Sequence, residues 1–491
     1  MKSKLPRLAY IHAGNRQVRL HRIYGISGLI ALMLLTSTAG HSAAVDSRVV
    51  LNDAIASVDR KHQLFSASFQ IFLLSQPQWS PEKYEEIPPL LSAVKKHLDD
   101  HQSILAANAL FNNIATLKKN YYDENIFYFI QILLERNDTK TAHALFDFIK
   151  NKREKTLTSN ITYLLASHSF ERNEWQKTVQ LLNKSMNNLA GESYHHALLM
   201  KGISFQKLKK HRESIEYYGR VAPTSKYYLS AQLNRAIANI RQGWWTDAHT
   251  IIQSTLESAE IFKSEEALNR LYLTLAYSLM NQKYYRESRH YFSHIGIDSV
   301  FANRALLGMT LTAASQNDFV SALSTVHILK NKQTYELSVD ESYLLAPYFY
   351  EKLQQTTTAA AGYQEAINYY QKRISEIQKI IDSEINLEEH TLSINVTTTL
   401  TIKGNTINLS YRYPDYFFEN YLKLKSYAEQ FKISKNKDIQ SEYEQLHDQY
   451  EAIIVKIIRN ELETRVEQLD SYMNQSRFGL ANLYDIRRVI D

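Results

Sequence analysis

The chain has 491 residues, no cysteine, 13 glycines and 33 tyrosines, and it carries 57 Lys and Arg against 51 Asp and Glu. Without cysteine it has no disulfide framework, no thiolate metal site, no cysteine nucleophile and no lipid anchor on a processed N-terminal cysteine. Six of the basic residues fall in the first 44 positions, so the remainder is formally neutral with 51 of each sign, and the basic balance argues for neither nucleic acid nor an anionic membrane as partner.

Lys2, Lys4, Arg7, Arg16, Arg19 and Arg22 form a basic leader free of acidic residues; Ile26 to Leu35 follow as an apolar run, and Ser42-Ala43-Ala44 offers small residues for cleavage. The run is shorter than the roughly 20 residues that span a bilayer. Residues 1–44 are therefore expected to be a signal peptide, or, given the long leader, an uncleaved N-terminal anchor in the inner membrane. Either places the body outside the cytoplasm.

From 45 to 123 the pattern is helical. Ala54, Val58, Leu64, Phe65, Phe69 and Phe72 make an apolar stripe, the Gln76-Pro77-Gln78-Trp79-Ser80-Pro81 turn breaks it, and amphipathic segments continue through Leu91 and from Leu105 to Leu117. This segment is expected to be a divergent cap with a polar outer side, since a stack of repeats needs its first apolar face covered.

Residues 124–370 repeat. A small residue opens a second helix at Ala142, Thr178, Ser214, Ala248, Ser288, Ala322 and Ala366, in steps of 36, 36, 34, 40, 34 and 44. Twelve positions earlier lies another small residue in five units: Ala166, Gly202, Ala236, Ala276 and Thr310. Small side chains let two helices approach closely. Three positions before the small residue stands a ring (Trp175, His211, Trp245, Tyr285, Phe319, Tyr363), expected to plug the space between hairpins. Four positions after it comes an apolar anchor: Phe146, Leu182, Tyr218, Ile252, Phe292, Val326 and Tyr370.

On these residues the chain resembles the tetratricopeptide-repeat family. Glu213-Ser214-Ile215-Glu216-Tyr217-Tyr218 and Glu365-Ala366-Ile367-Asn368-Tyr369-Tyr370 look like that family's second helix, and Gly202 matches its first-helix glycine. About half the chain is covered, the family's usual Trp, Leu-Gly and Pro positions are mostly replaced, and the 44-residue step holds an insertion from Gln354 to Ala361. Asn303 to Met309, Ala346 to Leu353 and Ser476 to Asp485 are also similar to exported repeat proteins of Gram-negative bacteria. The resemblance implies an all-α helical-hairpin solenoid, a periplasmic location and a protein partner.

Residues 371–491 are expected to form a long antiparallel coiled-coil arm. Ile367, Tyr370, Ile374, Ile377 and Ile381 step by 3 and 4, in a helix running to about Glu389; a second helix from about Asp438 to Ser476 carries Leu446, Tyr450, Ile453, Ile457, Leu462, Val466, Leu469 and Met473; a shorter one lies around Phe417 to Phe431. Between the long helices, 391–413 alternates with period two around Gly404-Asn405, which reads as a β-hairpin or a mobile loop at a projecting tip. The arm's seam is open to pairing within the chain or with a second copy.

No phosphate loop, Gly-x-Ser-x-Gly elbow or His-Glu-x-x-His motif occurs. Glu442, Glu444, Glu461 and Glu463 read as solvated helix faces. His97 with His101, and His290 with His294, have a chelating spacing, but neither pair has a third ligand in view, so no metal and no cofactor are expected. Asn-Arg recurs at 234, 269 and 303, and Asn234, Arg235, Asn239, Asn269, Arg270, Asn303 and Arg304 are expected to point away from the packing stripe as a ladder of donors for a partner's carbonyls or carboxylates. A non-enzymatic scaffold for a cell-envelope complex is the function expected. A substrate- or glycan-holding subunit of an envelope polysaccharide or peptidoglycan machine is the alternative.

Overall fold

The computed structural model describes residues 38–75, 82–100, 102–135, 139–152, 155–257, 265–332, 334, 336–387, 391–394, 398–402, 405–409, 413–426 and 436–490. Most of the expected signal, residues 1–37, lies outside them, as do His101 and the turn at 76–81. Among the described residues no helix is long and apolar enough to cross a membrane.

The architecture is an all-α solenoid. A long helix α1 (Thr38–Ser75) and three short ones, α2 (Ile87–Asp99), α3 (Ser103–Asn112) and α4 (Ile114–Lys119), precede seven helical hairpins. The hairpins are α5 and α6 (Asn125–Glu135, Thr139–Asn151), α7 and α8 (Lys155–Glu171, Trp175–Ser185), α9 and α10 (Gly191–Lys207, His211–Gly219), and α11 and α12 (Tyr228–Gln242, Trp245–Glu257). They continue with α13 and α14 (Glu265–Asn281, Tyr285–Phe292), α15 and α16 (Ala302–Ser315, Phe319–Lys330), and α17 and α18 (Leu337–Lys352, Thr356–Asp382). Strands β1 (Thr391–Ile394), β2 (Thr398–Ile402) and β3 (Asn405–Asn408) follow, then α19 (Asp415–Ser426) and the 54-residue α20 (Lys437–Ile490).

Close packing explains the repeat. All seven small residues of the second helices are completely buried, as are Ala166, Ala236, Ala276 and Thr310 opposite them. Six of the seven anchors are buried too, Phe146 being half-buried. Two anchor rings lie directly on glycine: a Cβ on Gly202 would come within 2.5 Å of Tyr218, and one on Gly308 within 2.2 Å of Phe292.

The hairpin turns repeat as strictly as the helices. Asn173, Lys209, Gly243, Lys283, Asn317 and Gln354 have φ between 60° and 77°, and each stands two residues before its second helix. In every case the next residue donates its N–H to the carbonyl five positions back, as Tyr284 does to Leu279 and Asp318 to Ala313. This is the Schellman C-cap, which closes the first helix and aims the chain into the second. Only one of the six is glycine, so five L-residues hold a conformation that costs about 1 kcal/mol or more each.

Trp175, His211, Trp245, Tyr285 and Phe319 are the first residues of their helices and are half-buried, whereas Tyr363 is buried; Phe319 meets Phe349 and Trp175 lies under Lys207, each contact reaching the next hairpin as expected. The helix of Tyr363 begins seven residues earlier, because the Thr356 to Ala361 stretch extends α18 by two turns.

The C-terminal region folds back on the body. α20, about 80 Å long at 1.5 Å per residue, runs antiparallel to α18, with Tyr370 against Tyr472 and Tyr363 against Gly479. Its N-terminal half runs antiparallel to α1, where Lys61 bonds Gln449, His62 bonds Tyr450 and Phe65 meets Tyr443. One apolar core therefore holds Ile55, Phe69, Tyr370, Ile377, Phe417, Tyr450 and Leu469 from both ends of the chain. The expected cap of 45–123 accordingly divides: α1 joins this terminal core, while α2 to α4 pack with α5 to α7. α18 ends at Asp382, earlier than Glu389, and α20 continues past Ser476.

The 391–413 segment is a three-stranded antiparallel sheet with Leu392, Leu400 and Ile407 in one cross-strand row. It does not project as a tip. Leu400, Ile402 and Leu409 are buried in the terminal core, because a small sheet needs an apolar face covered to be stable in water.

Replacing Lys283 by Gly relieves the left-handed turn and is expected to stabilise the fold by up to about 1 kcal/mol, read as a rise in the thermal unfolding midpoint. Gly308→Ala, which drives a methyl into the Phe292 ring, is expected to destabilise the fold by about 1–3 kcal/mol and lower that midpoint.

Candidate interaction site

Two buried ion pairs fix the arm to the solenoid. At the early end Asp59 of α1, 5% exposed, pairs with Arg172 in the turn between α7 and α8, and accepts a hydrogen bond from Asn420 of α19 at 3.1 Å. Arg172 lies over the Tyr416 ring, and Lys423 of α19 donates to the carbonyl of Glu135 at the end of α5. At the late end Asp340 of α17, fully buried, pairs with Arg465 of α20, accepts from the Tyr369 hydroxyl at 2.5 Å, and offers its backbone carbonyl to Tyr370. Burial raises the Asp340 carboxyl above its ordinary range in spite of Arg465. Arm and α1 thus join repeats that lie more than 160 residues apart in the chain.

The sequence-predicted site residues fall on both sides of the surface, and three of them inside it. Asn234, Asn239 and Asn269 are buried, correcting the expectation that they face away from the packing stripe; Asn234 and Asn239 donate to carbonyls one turn back, at Ser230 and Arg235. Arg235, Arg270, Asn303 and Arg304 are half-buried. Nor do the three Asn-Arg pairs form one ladder. The pair at 234 stands 14 residues before its small residue, Ala248, whereas those at 269 and 303 stand 19 before Ser288 and Ala322. The 40-residue step shifts the register, so only Arg270 and Arg304 are equivalent.

Asn303 instead ties its unit to the next, as two glutamates do elsewhere. It donates to Glu336 at 3.0 Å, 33 residues on; Glu192 accepts from Ser225 and Glu266 from Ser299, also 33 residues on. All three are the second residue of a first helix. Tyr163, His196 and Tyr227 extend the coupling as a hydrogen-bonded and stacked row across three units.

The remaining candidates divide by burial and neighbours. Glu442, Glu444 and Glu463 are exposed as expected, but Glu461 is buried, facing the Tyr413 hydroxyl. The rings of His290 and His294 lie 4.6 Å apart, with His294 Nδ1 against its neighbour's carbonyl. Among the described residues no group of three or more His, Asp or Glu side chains is placed to hold a metal.

Burial keeps several histidines neutral. His62, sealed at 2.8 Å against the Tyr450 hydroxyl, is pushed down to about 3 by burial first and by Lys423 and Arg172 second. His168 and His196 are each lowered to about 4, again mainly by burial. Glu341 moves the other way, to about 7, as burial outweighs its hydrogen bond from Tyr472.

No protein family's sequence profile matches the chain, and no curated protein matches it. Among solved structures it is similar to the apo form of RapI, at 12% identity over 74% of this chain and 96% of that one, with a TM-score of 0.41. It is also similar to a tetratricopeptide repeat protein from Parabacteroides merdae, at 13% identity over 52% of this chain and 97% of that one, with a TM-score of 0.33. These likenesses concern the fold and carry neither activity nor partner.

Arg465→Met leaves Asp340 buried without its cation and is expected to destabilise the protein by about 3–5 kcal/mol, with part of the loss restored in the Asp340→Asn, Arg465→Met double variant. For pH the signs oppose. The three histidines take up protons in the unfolded chain below about 6.5 but resist them when folded, so their stability contribution is present above that pH and is lost towards 3–4. Glu341 contributes below its ordinary 4.5 and loses that contribution as pH rises through about 7. With three groups against one, the melting midpoint is expected to fall between pH 6.5 and 4.5, and His62→Gln to flatten that slope.

Proposed function

We propose that the protein is a non-enzymatic scaffold, exported from the cytoplasm, that holds a protein partner of the cell envelope along the first helices of its central hairpins. The observation that carries this reading is the seven-hairpin stack fastened at both ends by buried Asp–Arg pairs. Such a frame presents a long surface whose span is set before the partner arrives, which lowers the ordering cost of binding an extended segment. Arg270 and Arg304 stand half-buried at equivalent places on α13 and α15, where a five-donor guanidinium fork can add a carboxylate or backbone carbonyl to the contacts it already makes. Export is supported by the basic leader, apolar run and small-residue site of residues 1–44.

The seam of α18 and α20 is filled within the chain, by each other and by α1, so self-association through it is not part of the proposal. In-cell crosslinking with mass spectrometry on C-terminally tagged protein is expected to recover one or two envelope proteins joined to residues of α11 to α15. The Arg270→Ala, Arg304→Ala variant is expected to keep its melting midpoint and lose at least tenfold of that yield. Recovery of the chain alone, or of partners unaffected by the variant, would overturn the reading.

A further inference from the structure

A cleft of about 510 Å³ opens between α8, α9 and α10, and cationic groups gather around it without acidic partners. Lys201 of α9 lines it and is 6% exposed, with its ammonium 4.3 Å from the centroid of the Tyr217 ring. Arg220, just beyond α10, lines it as well; its guanidinium lies 5.5 Å from the same centroid and donates to the Tyr194 hydroxyl at 2.7 Å. Among the described residues neither cation forms an ion pair.

A third cation stands on the next first helix. Arg235 of α11 packs over Gly219, where an added Cβ would lie 3.4 Å from its Cζ, and its Nε is buried without a hydrogen-bond partner. Lys201 and Arg235 hold the same place in successive units, each 13 residues before the small residue of its second helix, Ser214 and Ala248. Register therefore places the two cations at equivalent positions on adjacent first helices. The sequence pattern of Asn-Arg dipeptides concealed this pairing.

Burying an ammonium away from any anion is costly, and a guanidinium gathered at the same ring adds like-charge repulsion. The Tyr217 ring offsets only part of that cost, on the order of 1–2 kcal/mol for a partly desolvated cation–π contact. Asn183 and Asn187 add exposed amides at the rim, while Met186 and Leu189 give an apolar wall. The missing component is a compact anion. A carboxylate or phosphate group accepts from an ammonium, a guanidinium fork, a hydroxyl and amides together.

We infer that this cleft is a binding site for a small oxyanion-bearing ligand, a carboxylate or a phosphate, held by Lys201 at its floor and Arg220 at its mouth. The site does not depend on the scaffold reading, which concerns α13 and α15 and fails or stands by crosslinking.

The test is thermal unfolding of the full chain titrated with sodium phosphate, and separately with sodium succinate, at ionic strength held constant with sodium chloride. At least one of the two is expected to raise the midpoint saturably, and which one does so assigns the headgroup. Lys201→Met, which keeps the stem and removes the charge, is expected to weaken the apparent affinity at least tenfold; Arg220→Gln, at the exposed rim, several-fold. Should Lys201→Met fail to fold, Arg220→Gln with Tyr194→Phe carries the same comparison. No rise beyond chloride for either anion, or an equal rise in the charge-removed variants, would overturn the proposal.

Discussion

The structure depends on burying the apolar stripe of α20. A helix of 54 residues with one apolar face is not stable alone in water, and here that face is covered over its N-terminal half by α1 and over its C-terminal half by α18. Everything at the chain's two ends follows. The three-stranded sheet and α19 fill the flank of the same core, and the Asp59–Arg172 and Asp340–Arg465 pairs set where the assembly meets the hairpins. Apolar burial supplies the attraction. The ion pairs supply the register, since a buried carboxylate out of reach of its guanidinium is heavily penalised.

Within the solenoid the governing contact is small against large. Tyr218 and Phe292 rest on Gly202 and Gly308, and seven small residues open the second helices at complete burial. Identical Schellman turns then fix the angle between helices, unit after unit, even where the residue in the left-handed position is Asn, Lys or Gln. The positional requirement outweighs the residue preference, because the turn's two backbone bonds and the packed helices on either side over-determine its conformation.

Much of this was legible in the sequence. The hairpin repeat, its small positions and anchors, and the two long helices all follow from spacing, which is local information. What spacing does not encode is which apolar stripe meets which. The stripe of α1 reads equally well as a cap on the first repeat, and the alternation at 391–413 reads equally well as a free hairpin; both are settled by partners more than 300 residues away for α1 and by the neighbouring Phe417 and Phe418 for the sheet. At the candidate site the difficulty was register. Asn-Arg at 234, 269 and 303 looks periodic when counted in residues, yet the 40-residue step places the first pair five positions off the other two, and Lys201 turns out to be the true counterpart of Arg235.

An ordinary solenoid is held by nearest-neighbour contacts, so its folding can start at any unit and spread to the next. This one carries contacts such as His62 with Tyr450, separated by 388 residues. The terminal core cannot form until nearly the last residue has emerged, and until then α1 carries an uncovered row of Leu51, Ile55, Phe65, Phe69 and Leu73. Long-range closure of this kind slows folding and lengthens the exposure of sticky surface. That row therefore stays unshielded until α20 is available to cover it, and the compact state is the last to form rather than one that grows unit by unit.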